Sequence, residues 1–236
     1  MSLQLTVIVP VFNEVGNLTA LAAQLDAHPA FRVLWVDNGS TDGSTEILRS
    51  ICAQKENHQV LRLWPNRGYG GGLRAGIAAC PQGTSHVAWI PADGQTPVAD
   101  LARVWEHTQE NATAVHKGRR TKREDSLSQR LVSWIYSWLC RRILGFAVRD
   151  VNGLPKIFPA PLAREAAPLT TSASFAFDAE MLYLAHLREL GILEHPVAFH
   201  ARRTGQSSWV KRRLATYWQT FGTLVELRLR PNRLSW

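Results

Sequence analysis

The chain has 236 residues, of which 45% are apolar and 19% are charged, and this balance excludes a disordered protein. Its three cysteines (Cys52, Cys80 and Cys140) form no CxxC pair, so we expect no disulfide partners, no structural zinc site and a reducing, cytoplasmic environment. The first residues lack the basic segment of a signal peptide. The best candidates for a membrane span, Leu131–Cys140 and Leu214–Val225, have 10 and 12 uncharged residues. A transmembrane helix needs roughly 20.

The net charge of +8 is concentrated in the second half of the chain. Residues 1–115 carry 7 basic and 10 acidic residues, whereas residues 116–236 carry 20 basic and 9 acidic ones. A basic half of this kind favours a polyanionic partner, such as a phosphorylated substrate, an anionic membrane or a nucleic acid. We expect no nucleic acid, because the sequence contains no recognisable module that reads one.

Short apolar runs alternate with helical patterns through the first 116 residues. This alternation predicts an α/β fold with a doubly wound, mostly parallel sheet that is flanked by helices. Ligands of such sheets bind beyond the carboxyl ends of the strands, so the loops that begin at Pro10, Asp37, Asn66, Pro91 and Lys117 are the candidates for a site. The predicted strands are Leu5–Val11, Phe31–Val36, Val60–Trp64, His86–Ile90 and Thr113–His116, and the predicted helices are Val15–Ala27, Thr45–Ala53, Leu73–Ala79 and Pro97–His107.

The second half begins with a polar, basic stretch, which we predict to be a loop over Gly118–Gln129. No repeat and no low-complexity linker divides the chain, so we predict one domain with a first half at 1–116, a second half at 117–208 and a basic amphipathic C-terminal helix at 209–236. The other predicted elements are helices at Leu127–Leu144, Phe177–Leu190 and Trp209–Arg230, a strand within Asp150–Phe158 and a strand at Leu193–His200.

The loops after the first four strands are polar and most of them are rich in glycine, as a ligand crevice requires. The first of these loops reads PVFNE, which lacks the G-x-G-x-x-G pattern of a dinucleotide site. The chain also contains no GxxxxGK[ST] phosphate loop. The sequence therefore argues against an NAD enzyme and against a P-loop NTPase.

In chain order, the strings VIVPVFNE, VDNGSTDGS, NRGYGGGLRAGI and ADGQ resemble the motifs of family 2 glycosyltransferases, which have the GT-A fold. Three later strings, RDVNGLPKIF, SFAFDAEMLYLA and RRTGQSSW, are similar to segments of the polyprenyl- and dolichyl-phosphate glucose and mannose synthases. The resemblance spans roughly residues 5–210, and it implies that the half at 1–116 binds the nucleotide sugar and the half at 117–208 binds the acceptor. It implies an inverting transfer of a sugar from a nucleoside-diphosphate sugar to a polyprenyl phosphate, either dolichyl or undecaprenyl, with a β-linked product.

The resemblance also implies a donor site with a divalent cation, Mg²⁺ or Mn²⁺. Asp93 would be the principal metal ligand and Gln95 a second one, and both offer the hard oxygen donors that these ions prefer. The family pattern is D-x-D, and Pro91 stands here in place of the first acid. By motif position, the residues that would bind the nucleotide sugar are Pro10, Phe12, Glu14, Asp37, Asn38, Ala92, Asp93 and Glu180.

On the acceptor side, the resemblance implies a phosphate site built from Arg119, Arg130, Arg203 and Ser207. A guanidinium suits a phosphate because it can donate two parallel hydrogen bonds. The catalytic set implied by motif position is Asp93, Arg119, Arg130 and Asp178. A lipid phosphate is already an anionic nucleophile, so Asp178 would orient the sugar or the acceptor, and it would become the candidate base only for an alcohol acceptor.

Two helices, Leu127–Leu144 and Trp209–Arg230, combine aromatic and aliphatic residues with clusters of arginine and lysine. Such helices are typical of peripheral attachment to an anionic membrane surface, although burial of the aromatic residues in the core is equally compatible with the pattern. Two alternatives to the lipid-phosphate function remain open. The same fold can serve a soluble or non-prenyl acceptor, and the loss of an acid at Pro91 would fit a nucleotide-sugar-binding protein with weakened catalysis.

Overall fold

A computed structural model describes residues 3–202 and 222–229. The described residues form one seven-stranded sheet with helices on both faces. The strands are β1 (Leu5–Val11), β2 (Arg32–Asp37), β3 (His58–Arg62), β4 (His86–Trp89), β5 (Val115–Arg123), β6 (Lys156–Pro159) and β7 (Ile192–Phe199). The helices are α1 (Val15–Asp26), α2 (Ser44–Gln54), α3 (Gly68–Ala78), α4 (Val98–Glu110), α5 (Leu127–Leu144), α6 (Ala160–Ala166), a short 3₁₀ turn (Ala167–Leu169), α7 (Ala176–Leu187) and α8 (222–229).

The strand order across the sheet is β3-β2-β1-β4-β6-β5-β7. The first four strands run parallel, with Ile8 beside Trp89 and Val11 beside Asp37. β6 runs antiparallel between β4 and β5, whereas β7 pairs with β5 in parallel. The predicted α/β fold with a mostly parallel central sheet is therefore confirmed.

Two layers of apolar side chains cover the two faces of the sheet. The strands that start the chain are almost entirely buried, which explains why LTVIVPV reads as a continuous apolar run. Trp89 lies in the centre of the larger layer and stacks on Phe158, with ring centroids 5.0 Å apart. This stacking joins β4 of the first half to β6 of the second half.

The prediction of a loop over Gly118–Gln129 is wrong for its first part, because β5 continues as a strand to Arg123. The stretch has no apolar alternation, so its sequence does not predict a strand. Its charges are instead balanced within the fold. Arg120 pairs with Asp150, and the guanidinium groups of Arg120 and Arg123 lie over the ring of Phe199 at 5.0 and 5.8 Å. Lys117, predicted to begin a site loop, is likewise a fully buried strand residue.

The third helix begins at Gly68, five residues before the predicted start at Leu73. Glycine has a low helix propensity, so a run of glycines predicts a turn. The tertiary structure overrides this preference, because other segments approach the first turn of α3 too closely for a side chain. The sequence also did not indicate α6, a seven-residue helix that directly follows β6.

Most of the predicted helix Trp209–Arg230 lies outside the described residues. The described part, 222–229, is helical and buries Leu224 and Leu227 against the larger core layer. Within the described ranges, no helix has both the length and the apolar character that crossing a membrane requires.

Three histidine rings, from α4, β5 and β7, stack beside each other. His195 of β7 lies between His116 of β5, with 3.0 Å between ring nitrogens, and His107 of α4, with ring centroids 4.8 Å apart. Burial, together with the charges of the two neighbouring histidines and of Arg103, lowers the pKa of His195 to about 4, while Glu110 opposes them. Burial also lowers the pKa of His116.

These depressed pKa values predict that the protein loses stability in mild acid. Between pH 6.5, where free histidine titrates, and the folded-state value of about 4 for His195, the unfolded chain binds more protons, so the free energy of unfolding falls as the pH is lowered. We expect the loss between pH 7 and pH 5, measured by urea unfolding, to be smaller in His195→Gln. His28→Gln, outside the cluster, should keep the wild-type dependence. An unchanged pH dependence in His195→Gln would contradict the lowered pKa of His195 as the source of the acid sensitivity.

Candidate functional site

The carboxyl ends of β1, β2 and β4 lie side by side, so the loops that follow these strands meet at one edge of the sheet. Two hydrogen bonds join the first two loops. The backbone NH of Asn13 donates to the Ser40 hydroxyl, and that of Glu14 donates to the Ser44 hydroxyl, each at 3.1 Å. Asn13 adopts a positive φ of 56°, a conformation that asparagine tolerates better than most residues. This edge is therefore an ordered surface.

Pro10 and Phe12, whose predicted role in a nucleoside pocket is untested, flank the last residue of β1. Pro10 is the partly buried penultimate residue of the strand. Phe12 follows the strand and keeps 42% of its surface exposed, so its ring is available to a ligand. The apolar Ala92 is 2% exposed, so its side chain packs inside the protein and only its backbone can line a pocket.

Asp37 organises its own loop. Its carboxylate is fully buried and accepts hydrogen bonds from the backbone NH of Ser40 at 2.9 Å and from the hydroxyl of Thr45 at 2.6 Å. Asp37 therefore holds the loop after β2 in place, and its predicted role in binding the nucleotide sugar is untested.

Asn38 connects the loop after β2 to the start of α3. Its amide nitrogen donates to the carbonyl of Gly68 at 2.8 Å, and its amide oxygen accepts from the backbone NH of Arg67 at 3.0 Å. An aspartate at this position could not donate to the carbonyl of Gly68 when ionised. The asparagine amide thus supplies both the donor and the acceptor that the two backbone groups require.

The glycine-rich start of α3 is the contact surface for a segment of the second half. A Cβ atom on Gly68 would lie 2.4 Å from the carbonyl oxygen of Ala173, and one on Gly70 would lie 2.2 Å from that of Ser172. The backbone NH of Gly70 donates to the Ala173 carbonyl at 3.0 Å. The glycines therefore allow a close approach between two backbones.

Glu180 holds the other side of the same segment. Its carboxylate is 1% exposed and accepts from the backbone NH groups of Thr171 and Ser172, both at 3.1 Å. Burial raises the pKa of Glu180, and these hydrogen bonds oppose the rise. The predicted role of Glu180 in binding the nucleotide sugar is untested. The structure places its carboxylate under the segment 171–173, behind the surface of the site.

Asp93 and Gln95, the predicted metal ligands, lie in the loop after β4. The side-chain nitrogen of Gln95 donates to the carbonyl of His200 at 3.1 Å, so its side-chain oxygen is the atom left for a cation. Burial raises the pKa of Asp93, and the nearby charge of Glu14 acts in the same direction, while Arg202 opposes it. These oxygen donors fit Mg²⁺ or Mn²⁺.

Arg202 bridges the two carboxylates of this loop region. Its guanidinium bonds to Oε1 of Glu14 and lies 3.8 Å from Oδ2 of Asp93. A positive group thus already stands between the acids that would face a cation. Among the described residues, no three His, Cys, Asp or Glu side chains converge to hold a metal. A cation here would need further ligands from the donor phosphates.

Asp178 lies at the centre of a buried polar network below the site. Its carboxylate, 3% exposed, accepts from Trp89 Nε1 at 3.0 Å and from the Tyr69 hydroxyl at 3.4 Å, and it pairs with Lys156 at 3.0 Å. Burial lowers the pKa of Lys156, and the charge of Asp178 opposes this. Burial and the charge of Asp178 raise the pKa of Tyr69 well above its usual value, and Asp93 adds to the rise. Three partners thus engage the Asp178 carboxylate.

Arg119 and Arg120 are neighbours on β5 with different surroundings. Arg120 forms two side-chain hydrogen bonds to Asp150, at 2.9 and 2.7 Å, and this pairing holds the pKa of Asp150 well below its usual range against the effect of burial. Arg119 has a buried Nε with no hydrogen-bond partner in the described part of the chain. A buried donor without a partner is costly, and a phosphate oxygen would satisfy it. Arg119 is therefore a candidate anion site.

Arg130 lies in the first turn of α5. Its guanidinium donates to the backbone carbonyls of Arg123 and Asp125 and lies 3.5 Å from the Asp125 carboxylate, while 43% of the side chain is exposed. These contacts tie Arg130 to the end of β5 and the residues that precede α5, and its predicted role at the acceptor phosphate is untested. Arg203 and Ser207, the other predicted acceptor residues, lie outside the described residues.

The helix α5 presents an apolar face to the surroundings. Five of its large side chains are between 41% and 79% exposed, and their spacing places them along one side of the helix. Its last turn carries two arginines. The five exposed residues are Leu127, Leu131, Trp134, Ile135 and Trp138.

Sequence reasoning did not single out Arg202, Tyr69 or Lys156 as site residues. Arg202 directly precedes Arg203 in RRTGQSSW, and the pattern does not distinguish two adjacent arginines. Tyr69 and Lys156 lie within the quoted motifs, but their contacts with Asp178 join positions 109 and 22 residues apart in the chain. Such contacts depend on the tertiary structure.

Residues 6–165 of this chain match the family model described as "Glycosyl transferase family 2". The chain is 25% identical over 215 residues to the dolichyl-phosphate beta-glucosyltransferase of Dictyostelium discoideum and 28% identical over 218 residues to that of Homo sapiens. These alignments cover 82% and 81% of this chain and 65% of each relative.

A second kind of relative is the undecaprenyl-phosphate 4-deoxy-4-formamido-L-arabinose transferase of Salmonella dublin. It is 28% identical over 169 residues, which is 67% of this chain and 50% of the relative. The chain thus spans between half and two thirds of the length of these curated relatives.

Solved structures share the fold. The glucosyl-3-phosphoglycerate synthase of Mycobacterium tuberculosis, in complex with Mn²⁺, UDP and glucosyl-3-phosphoglycerate, matches with a TM-score of 0.72 over 96% of this chain and 80% of that chain, at 16% identity. A complex of the synthase from the same organism with Mg²⁺ and UDP matches with a TM-score of 0.69 at 19% identity, with the same coverage. The similarity confirms the expected GT-A-type fold.

The close approach at α3 predicts that Gly70→Ala is destabilising. The added Cβ atom would lie 2.2 Å from the Ser172 carbonyl oxygen and 2.9 Å from Cβ of Phe177, so the segment 171–173 must move. We expect the free energy of unfolding, measured in urea, to fall by about 1–3 kcal/mol. The control is Gly191→Ala, where the nearest atom would be 3.7 Å away. Equal stabilities of the two variants would show that the backbones do not approach this closely.

Proposed function

This chain belongs to glycosyl transferase family 2, and we propose that it transfers a sugar from a nucleoside-diphosphate sugar to the phosphate of a polyprenyl lipid, dolichyl or undecaprenyl phosphate. The names of the sequence relatives support this choice of acceptor. The observation that carries the proposal is the buried Nε of Arg119, which lacks a hydrogen-bond partner among the described residues and is suited to an anionic acceptor.

The surroundings of Asp178 and Glu180 support an acceptor that is already ionised. Asp178 is engaged by Lys156, Trp89 and Tyr69, and Glu180 is engaged by backbone NH groups, so contacts within the fold already use the oxygens of both carboxylates. An alcohol acceptor needs a base that removes its proton, whereas a phosphate oxygen does not. We therefore assign Asp178 a positioning role that secures Tyr69 and Trp89 below the site.

The reaction in this proposal is a single displacement. An oxygen of the lipid phosphate forms a bond to the anomeric carbon of the sugar, and the bond from that carbon to the donor diphosphate breaks. The nucleoside diphosphate leaves with the electron pair of the broken bond, and the configuration at the anomeric carbon inverts. Arg119 holds the attacking phosphate, and the ordered loops after β1 and β2 orient the nucleoside.

Asp93 and Gln95 would hold a divalent cation, Mg²⁺ or Mn²⁺, beside the donor diphosphate. When bound, such an ion stabilises the negative charge that develops on the leaving diphosphate. The presence of Mn²⁺ or Mg²⁺ in the structural relatives supports this cofactor. With Pro91 in place of a first acid, the cation has one carboxylate fewer than in a D-x-D site, and the donor phosphates complete its coordination.

The exposed apolar face of α5 supports peripheral attachment to a membrane, on its cytoplasmic side, where a lipid acceptor is found. Tryptophan and leucine on one side of a helix, with arginines at its end, are typical of helices that lie in the interface of an anionic membrane. The helix begins four residues after β5, the strand that carries Arg119. A membrane that contacts α5 would therefore lie close to the candidate phosphate site.

A second candidate function is transfer to a soluble phosphorylated acceptor. The observation that favours it is the similarity in fold to glucosyl-3-phosphoglycerate synthase, whose complexes contain phosphoglyceric acid. Both acceptors would present an anionic phosphate to Arg119, so that residue alone does not distinguish them. The apolar face of α5 favours the lipid.

The test measures sugar transfer by the whole chain from UDP-glucose and GDP-mannose to undecaprenyl phosphate, dolichyl phosphate and 3-phosphoglyceric acid, with Mn²⁺ or Mg²⁺. We expect transfer to a lipid phosphate and a loss of at least about 100-fold in kcat/KM in Arg119→Gln, because the phosphate loses a charged hydrogen-bond donor. Nucleotide affinity should stay within about twofold of wild type. Lys122→Gln, which removes an exposed charge of the same strand, is the control.

Transfer to phosphoglyceric acid alone would favour the second candidate. Tight nucleotide binding without turnover of any acceptor would instead indicate a nucleotide-sugar-binding protein with weakened catalysis. Equal losses in Arg119→Gln and Lys122→Gln would contradict the role of Arg119.

The membrane proposal predicts the result of vesicle flotation. Replacing both Trp134 and Trp138 with serine should strongly reduce binding to vesicles that contain phosphatidylglycerol, because the exposed rings supply most of the apolar contact. Added salt should release the wild-type chain by screening its arginines. The control is Trp64→Ser, since Trp64 is 68% exposed and lies outside α5. Full flotation of the double variant would refute the role of this face.

A further inference from the structure

Glu14 and Asp93 share one positive partner, Arg202, although they come from loops after different strands. All three side chains are between 12% and 20% exposed, so solvent screens their charges only in part. Asp93 is also the principal ligand of the proposed cation. The guanidinium of Arg202 thus lies beside the carboxylate that would bind the cation most strongly.

The position of Arg202 is held by contacts of the chain that precedes it. The backbone NH of His200 donates to the carbonyl of Gln95 at 3.0 Å, and the Gln95 side chain donates back to His200 at 3.1 Å. The backbone NH of Ala201 donates to Glu124 at 2.8 Å. These bonds do not involve the guanidinium, so the segment keeps its place when the arginine side chain is changed.

Charge balance shows why a guanidinium and a divalent cation exclude each other here. Of the described groups in contact here, the two carboxylates carry two negative charges and the guanidinium offsets one of them. A divalent cation added beside the guanidinium would place like charges together at short range, which is unfavourable in a partly buried site. Exchange of one for the other avoids this repulsion.

We propose that Arg202 is an internal counter-ion of the donor site, which holds Glu14 and Asp93 together until a divalent cation displaces it. The inference rests on the proposed function, because it concerns the cation of that same donor site. It follows that the free protein binds the metal weakly. A donor diphosphate strengthens metal binding because it brings both further oxygen ligands and negative charge.

The test is a titration of the whole chain with Mn²⁺ in the absence of nucleotide. The EPR signal of the free ion reports how much Mn²⁺ remains unbound. In Arg202→Gln the competing charge is gone, and we expect the Kd for Mn²⁺ to fall roughly tenfold below that of wild type. Arg202→Lys keeps a positive charge and should stay within about threefold of wild type. Arg49→Gln removes an exposed charge on α2 and should leave the Kd unchanged.

Unchanged or weaker Mn²⁺ binding in Arg202→Gln, with a melting temperature near that of wild type, would overturn the proposal. If the glutamine variant unfolds, the comparison passes to Arg202→Lys, for which a Kd more than about tenfold above that of wild type would overturn it. Calorimetry of UDP and GDP binding to wild type with Mn²⁺ distinguishes a failure of the proposed function from a failure of the role of Arg202. Failure of both nucleotides to bind would contradict the proposed function itself. Nucleotide binding together with an unchanged Mn²⁺ affinity in Arg202→Gln would overturn only the role of Arg202.

Discussion

The buried ion pair between Lys156 and Asp178 is the contact on which the arrangement of the site depends. Lys156 begins β6, Asp178 lies in the first turn of α7, and the carboxylate also binds Trp89 at the end of β4 and Tyr69 at the start of α3. One carboxylate thus connects four elements from both halves of the chain. Removing either charge would leave the other buried and unpaired, at a cost of about 3–5 kcal/mol.

A second connection between the halves uses backbone rather than charge. The glycines at the start of α3 let the segment 171–173 approach to hydrogen-bonding distance, and Glu180 holds this segment from the opposite side. Motifs that look like ligand-binding loops in the sequence therefore also serve as packing surfaces. The donor-side loops and the acceptor-side helix α7 occupy fixed positions relative to each other because of these contacts.

The arginine and lysine side chains around the site differ in whether each has an acidic partner of its own. Where an arginine or lysine is buried with an acid of its own, as in Arg120 with Asp150, the pair is structural and satisfied. Where the partner is shared, as in Arg202, or where a buried nitrogen has no hydrogen-bond partner within the described ranges, as in Arg119, we propose that the group serves a ligand. The arginines of the basic second half thus have different roles, and their partners in the fold distinguish these roles.

Hydrophobic periodicity was sufficient to predict the parallel half of the sheet, and α5 was predicted with its observed bounds, because burial on both faces of a strand or on one face of a helix leaves a local pattern. The motif order likewise led to the family. The sequence did not reveal that β5 extends through HKGRRTKR, that α3 begins within a glycine run, or that Arg202 contacts Glu14 and Asp93. Each of these depends on partners far away in the chain: Asp150 and Phe199 for β5, the segment 171–173 for α3, and loops 109 and 188 residues away for Arg202. Local sequence patterns record burial, whereas the pairing of charges and the close approach of backbones arise only when the chain has folded.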